Sequence, residues 1–443
     1  MRVRKVTAVR IGHRVAGLVV GVVLFATGCA TQSPDEPVVD ARFGTGDFAV
    51  APVPAWTVDA AALGTVTHSV PFSLPQVPNA DAPMLLGLTD GDYSQNPRGL
   101  RVLALDPSSG ERSWLRDVGP VRQCAEQIDD TILACYGDHR VVYVDVTDGR
   151  IVGDIATDFY VYHVRAAGGV GYVSGRSDDM LTSTIHSGTL EDLDARWSAS
   201  YPSPVPGQPA SPAVFPDKGI ADVYSSGARQ IIDIDTGEPR FVFTGENPLP
   251  LGNDLFVTVT RAPDGALREA ILDGVGQERT EVPVATVGLS PLPWANLYDS
   301  ELPRFLGDGA YDAYTGVELW RNPATLENNG GINSAVLAVV GDTVVVRSSE
   351  TRTFSGIDLG TGRTTWTTPW QDAYWARAGT SDGEHYVFGD YTGMHAIRAS
   401  DGVMMWSIPW PEGVDPREVS VSETAGVLTV SDRFGSTVWA PSR

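Results

Sequence analysis

The 443-residue chain carries 55 acidic against 32 basic side chains, a formal net charge of −23 at pH 7. No basic stripe exists that could release phosphate counterions, so nucleic acid is excluded as a partner, and anionic lipid headgroups would repel the same surface. The length exceeds one ordinary domain without any low-complexity break, which calls for a search for internal repeats.

Residues 1–28 read as a secretory leader. Arg2, Arg4, Lys5, Arg10 and Arg14 form a basic start, and Ala16 to Ala26 is an apolar run too short to span a bilayer. Its end, Ala26-Thr27-Gly28-Cys29, resembles the lipobox of bacterial lipoproteins, with Ala26 standing where that family usually has leucine. The resemblance implies cleavage before Cys29 and lipidation of it; ordinary leader cleavage, leaving Cys29 a bystander, is the alternative. Loss of the leader removes five basic and no acidic residues, so the mature chain stands near −28. Residues 29–50, rich in Pro, Asp, Gly and small side chains, are expected to tether the anchor to a domain over 51–443. The lipid on Cys29 would then be the membrane contact, at the outer face of the cell membrane or elsewhere in the envelope.

Two further cysteines lie in "CAEQIDDTILAC". If Asp129-Asp130 is the tip of a hairpin, Cys124 and Cys135 face each other across adjacent strands, and in an exported protein that favours a disulfide over two buried thiols. A two-residue loop would set them at a hydrogen-bonded pair, an uncomfortable place for a cross-strand bridge, so a longer loop is expected.

A triplet recurs along the rest of the chain. Asp106-Gly110-Trp114, Asp312-Gly316-Trp320 and Asp358-Gly362-Trp366 share the same four-residue steps, and Gly402-Trp406 keeps two of the three with Arg398 in place of the aspartate. Weaker copies run through Asp145, Gly149 and Gly153 and through Asp233, Gly237 and Phe241. The last position falls at 114, 153, 197, 241, about 282, 320, 366 and 406, a period near forty residues. Short β-branched runs such as "RVLALD", "VVYVDV", "QIIDID" and "DTVVVRSS", bounded by turn residues, make the repeat a unit of strands. The aspartate is expected to accept backbone N–H bonds in a turn, the glycine to supply positive φ, and the tryptophan to lie against a neighbouring unit.

At these residues the chain resembles a family. Ala310-x-Asp312-x-x-Thr315-Gly316-x-x-x-Trp320 is similar to the tryptophan-docking motif of the quinoprotein-like (PQQ-like) β-propellers, which include quinoprotein dehydrogenases and BamB-like lipoproteins. The resemblance implies an all-β fold: a single propeller of four-stranded blades, eight by preference with seven or nine left open. Trp56 precedes any complete blade and the tail "EVSVSETAGVLTVSD" has no docking turn after it, so strands from both ends are expected to close the ring.

Activity is less legible. The dehydrogenases of this family hold PQQ with calcium, an aspartate base and a disulfide between adjacent cysteines, and no Cys-Cys pair exists here. "DIDTGE" at 233–238 mimics the start of a calcium loop but sits on the repeat. The seven histidines show no metal-ligand spacing, and neither a nucleophile elbow nor a P-loop is present, so no catalytic residue, cofactor or metal is assigned. "WTTPW" and "WSIPW" offer Trp370 and Trp410, with Tyr374 and Trp375 nearby, as a candidate aromatic rim for sugar or peptide; packing between blades explains the same spacing. The expectation is a monomeric, non-catalytic scaffold for envelope proteins, set against a PQQ-dependent enzyme and a carbohydrate- or small-ligand-binding propeller.

Overall fold

The computed structural model describes residues 47–59, 85–89, 100–125, 131–202, 212–225, 228–243, 249–252, 254–261, 267–282, 301–325, 336–348, 350–372, 379–412, 414–417, 419–424, 426–432 and 435–440. Cys29, Tyr374 and Trp375 lie outside them.

The described strands form nine antiparallel sheets, seven of four strands and two of three. Eight follow one another along the chain: 85–119, 123–156, 160–202, 213–243, 249–282, 304–321, 336–369 and 380–409, here sheets 1 to 8. In each, every strand pairs with the next in sequence, because short turns allow only hairpin neighbours. The ninth sheet closes the structure: Val53–Asp59 pairs with Gly435–Ala440, which continues into Val427–Asp432 and Ser420–Thr424. The first and last described strands therefore share one sheet.

The core is divided in the same way. Nine apolar clusters each draw on two successive sheets, from Leu103 and Leu105 with Val438 between the closing sheet and sheet 1, to Met394 and Trp406 with Val421 and Leu428 between sheet 8 and the closing sheet. The clusters complete a circuit, which makes the fold a β-propeller. The nine sheets number one more than the eight blades preferred from sequence. The eight docking positions counted there each belong to a sheet of their own, and Trp56 belongs to the closing sheet as a ninth. The weak interval ending near Val282 holds four strands, and its turn keeps an aspartate and a glycine, Asp273 and Gly276 (φ 78°), three residues apart instead of four.

The triplet's chemistry is visible at Asp312. Its Oδ1 accepts the backbone N–H of Tyr314 (3.0 Å) and Thr315 (2.7 Å) and the Thr315 hydroxyl (2.8 Å). These bonds, the Thr315 hydroxyl first, hold the carboxyl below the usual range. Gly316 donates back to the Asp312 carbonyl at φ 68°, where a side chain is disfavoured. Asp106 and Asp358 close their turns alike, onto Ser108 and Ser109 and onto Thr361.

Five tryptophans dock on the triplet of the following sheet. Trp320 lies over Gly362, where a Cβ would stand 2.5 Å from its Cδ2, and its indole N–H reaches the Leu359 carbonyl at 2.7 Å. Trp56 meets Gly110 and the Pro107 carbonyl, Trp114 meets Gly149 and Val146, Trp197 meets Gly237 and Ile234, and Trp366 meets Gly402 and Ala399. The carbonyl is always that of the residue after the aspartate position. Trp406, the last, donates to the Phe48 carbonyl at 2.8 Å and so ties sheet 8 to the segment leading into the closing sheet. At these five positions the glycine thus has two duties, positive φ and the absence of a Cβ beneath the neighbour's ring; Gly316 has the Ile271 side chain above it instead.

Candidate functional site

The aspartates and tryptophans of the triplets are engaged in turns and in docking, so their conspicuous spacing belongs to architecture. Cys124 and Cys135 are directly opposed across the first two strands of sheet 2 and joined by a disulfide. Ala125 N–H donates to the Ala134 carbonyl (2.7 Å), which makes that neighbouring pair the hydrogen-bonded one and puts the cysteines at the non-hydrogen-bonded position. Both are buried in the cluster between sheets 1 and 2. They offer no surface to a stacked cofactor.

Of the four candidate rim residues, the structure describes Trp370 and Trp410. Both are half-buried and turn their indole N–H groups to one residue: Trp370 Nε1 donates to Asp390 Oδ2 (2.9 Å) and Trp410 Nε1 to the Asp390 carbonyl (2.7 Å). The other carboxylate oxygen of Asp390 meets His395 Nε2 (2.9 Å), the Thr392 hydroxyl (2.7 Å) and the Thr392 N–H (2.7 Å). Burial opposes charge on Asp390, yet the His395 and Thr392 bonds hold its carboxyl down at about 2. The second tryptophan repeat is therefore bracing around a buried acid, and the sequence missed Asp390 and His395 because neither belongs to the repeat.

A second polar chain lies in sheet 3. Thr184 Oγ1 is 2.6 Å from His186 Nε2, and His186 Nδ1 is 2.6 Å from Asp194 Oδ1. The order hydroxyl, imidazole, carboxylate is that of a nucleophile with its base and orienter. Thr184, however, is 8% exposed and Phe159 lies flat on the imidazole at 4.4 Å, so the trio fastens the turn before Trp197 to its strand and leaves no approach to the hydroxyl.

A further group of charged and aromatic side chains gathers where sheets 2 and 3 meet. Arg122 leads into sheet 2, Asp138 and His139 form the turn before its third strand, Tyr160 opens sheet 3, and Arg176 closes the next strand directly opposite Tyr160. Strand starts and the turn after the second strand fall on one face of a blade, so these residues converge from distant parts of the sequence. Arg122 stands over the Tyr160 ring (4.6 Å to centroid), donates to the Tyr160 hydroxyl and to the Val161 carbonyl (3.1 Å), and has Asp138 at 3.0 Å. Arg176 stands over both Tyr160 (4.9 Å) and Tyr162 (5.2 Å), whose rings meet edge to face at 5.3 Å. Burial raises the Tyr162 hydroxyl above its ordinary pKa. Among the described residues no three His, Cys, Asp or Glu side chains are placed to hold a metal ion.

No protein-family description matches the sequence. No curated protein matches it either. Among solved structures the fold is similar to the computationally designed Ika8 protein (12% identity, TM-score 0.47, covering 88% of this chain and 99% of that one). It is also similar to BamB from Moraxella catarrhalis (14%, 0.43, 88% and 100%) and to the quinohemoprotein alcohol dehydrogenase ADHIIG from Pseudomonas putida HK5 (11%, 0.41, 90% and 80%). At such identities none of these activities transfers to this chain.

Proposed function

We propose that this chain is a non-catalytic β-propeller scaffold that binds envelope proteins, exported and held by a lipid on Cys29. The observation that carries the reading is a patch of apolar side chains on sheet 6: Tyr314 and Val317 are each 57% exposed and Leu319 49%, all on one docking turn and the strand after it. The turn and strand that carry Trp320 leave these three facing water, which burial on a partner would relieve. Resemblance of the docking motif to that of BamB-like lipoproteins directs the proposal toward envelope-protein assembly, with the circuit of docked blades as a rigid support.

In-cell cross-linking of the full-length protein, followed by identification of what is captured, tests this. Wild type should capture an envelope protein, and Val317→Asp should lower the yield at unchanged abundance. Recovery of lipid alone under several cross-linking chemistries would refute the scaffold reading; equal capture by Val317→Asp would move the contact elsewhere on the disc.

A further inference from the structure

Arg176 is the anomaly of this acidic chain. Most well-placed arginines are matched to a carboxylate: Arg140 to Asp154 at 2.7 Å, Arg229 to Asp222, Arg240 to Asp233 and Asp254, Arg321 to Glu318 and Arg398 to Asp401. Arg176 is half-buried and its guanidinium is held over two tyrosine rings, yet no acid or hydrogen-bond acceptor among the described residues engages it. The nearest acid in sequence, Asp178, lies 3.5 Å from His139 instead.

The local fold is shaped for this arrangement. Strand Tyr160–Ala167 carries a bulge: Ser174 faces His163 and Gly175 faces Val161, so Tyr162 is the extra residue. A bulge re-aims the inserted side chain, and here the Tyr162 ring completes a platform beside Tyr160 under the one guanidinium. Gly175 is needed opposite, because a Cβ there would stand 2.5 Å from the Phe159 ring. Arg122, fixed by the Tyr160 hydroxyl and the Val161 carbonyl, adds a second positive charge to the same ring.

We propose that Arg176, on the Tyr160–Tyr162 platform and backed by Arg122, is a binding site for a carboxylate group. A guanidinium held over aromatic rings spends none of its N–H donors on an acceptor, and its planar fork matches the two oxygens of a carboxylate. The stacking fixes the fork before the ligand arrives, which reduces the ordering entropy lost on binding. A singly charged group suits the site better than a phosphate dianion, because Asp138 and Asp178 stand at its border. The carboxylate comes either from a free small acid or from an acidic peptide segment; the site itself does not depend on the scaffold reading.

Modification of the full-length protein by phenylglyoxal, with adducts located by peptide mass spectrometry, measures the site residue by residue. Three solutions of equal ionic strength are compared: sodium chloride, citrate, and a blocked peptide containing Asp and Glu. Citrate or the peptide should slow modification of Arg176 by about fivefold relative to chloride and leave the exposed Arg112 and Arg363 unchanged. Protection by citrate alone identifies a free acid as the source, and protection by the peptide alone an acidic segment. The Tyr162→Leu variant, checked for native far-UV circular dichroism, should lose most of the protection. Equal rates at Arg176 in all three solutions, equal slowing at all three arginines, or full protection in Tyr162→Leu would overturn the proposal.

Discussion

Replacing Trp320 by alanine tests the docking geometry at its most complete junction. The side chain is 7% exposed, packed among Phe305, Ala310, Val336 and Ile357 and flat on Gly362. Removing roughly 150–250 Å² of ring from water at about 25 cal/mol per Å² gives an upper bound of about 4–6 kcal/mol. Loss of the bond to the Leu359 carbonyl adds about 1 kcal/mol, while partial collapse of the cavity subtracts, so about 4 kcal/mol is expected. Gly362→Ala attacks the same contact from below, since its Cβ would stand 2.5 Å from Trp320 Cδ2 and its φ of 69° disfavours any side chain. With the ring already gone, only the conformational penalty of about 1–2 kcal/mol should remain for Gly362→Ala. The two substitutions must therefore be less than additive in urea unfolding followed by far-UV circular dichroism, with midpoints compared at constant m. Full additivity, or a Trp320→Ala variant as stable as wild type, would refute the docking of ring on glycine.

Two further expectations concern pH. His163 accepts the Val214 N–H at Nδ1 (3.3 Å) across sheets 3 and 4, and burial, with Arg165 adding to it, pushes its imidazole down to about 3. The unfolded chain takes this proton near 6.5 and the folded one only near 3, so the stability it confers is complete above about 6.5 and is lost as pH falls through that interval. His163→Gln should flatten this part of the pH dependence of the urea midpoint; an unaltered slope would place the titration elsewhere. Asp390, held at about 2, contributes about 2 kcal/mol that is present above about pH 4 and disappears as pH falls toward 2. Asp390→Asn should lower stability at neutral pH by a similar amount and remove that acid limb, and a variant with an unchanged acid limb would contradict the assignment.

The period of the triplet was legible because it is local chemistry. A carboxylate that caps a turn, a glycine at positive φ and a large ring four residues on are all fixed within one hairpin, and hairpins repeat in sequence as they do in space. The closing sheet could be anticipated for the same reason, since Trp56 and the tail "VLTVSD" each lacked the strands that the other supplied. What the sequence left open lies between sheets. The second duty of Gly110, Gly149, Gly237, Gly362 and Gly402 shows only when the preceding sheet's tryptophan is laid on them, and the count of nine only when the weak interval ending near Val282 is seen to hold four strands. The regular spacing of Trp370 and Trp410 favours packing over a rim, but what they pack around shows only when Asp390, which belongs to no repeat, is seen between their indole N–H groups. Arg122, Tyr160, Tyr162 and Arg176 carry no shared spacing; blade packing and a single-residue bulge gather them, and both are tertiary events. Sequence by itself determined the strand repeat and the turns that make it. Tertiary structure decided which side chains meet across the blades, because those contacts depend on register and packing that no hairpin holds alone.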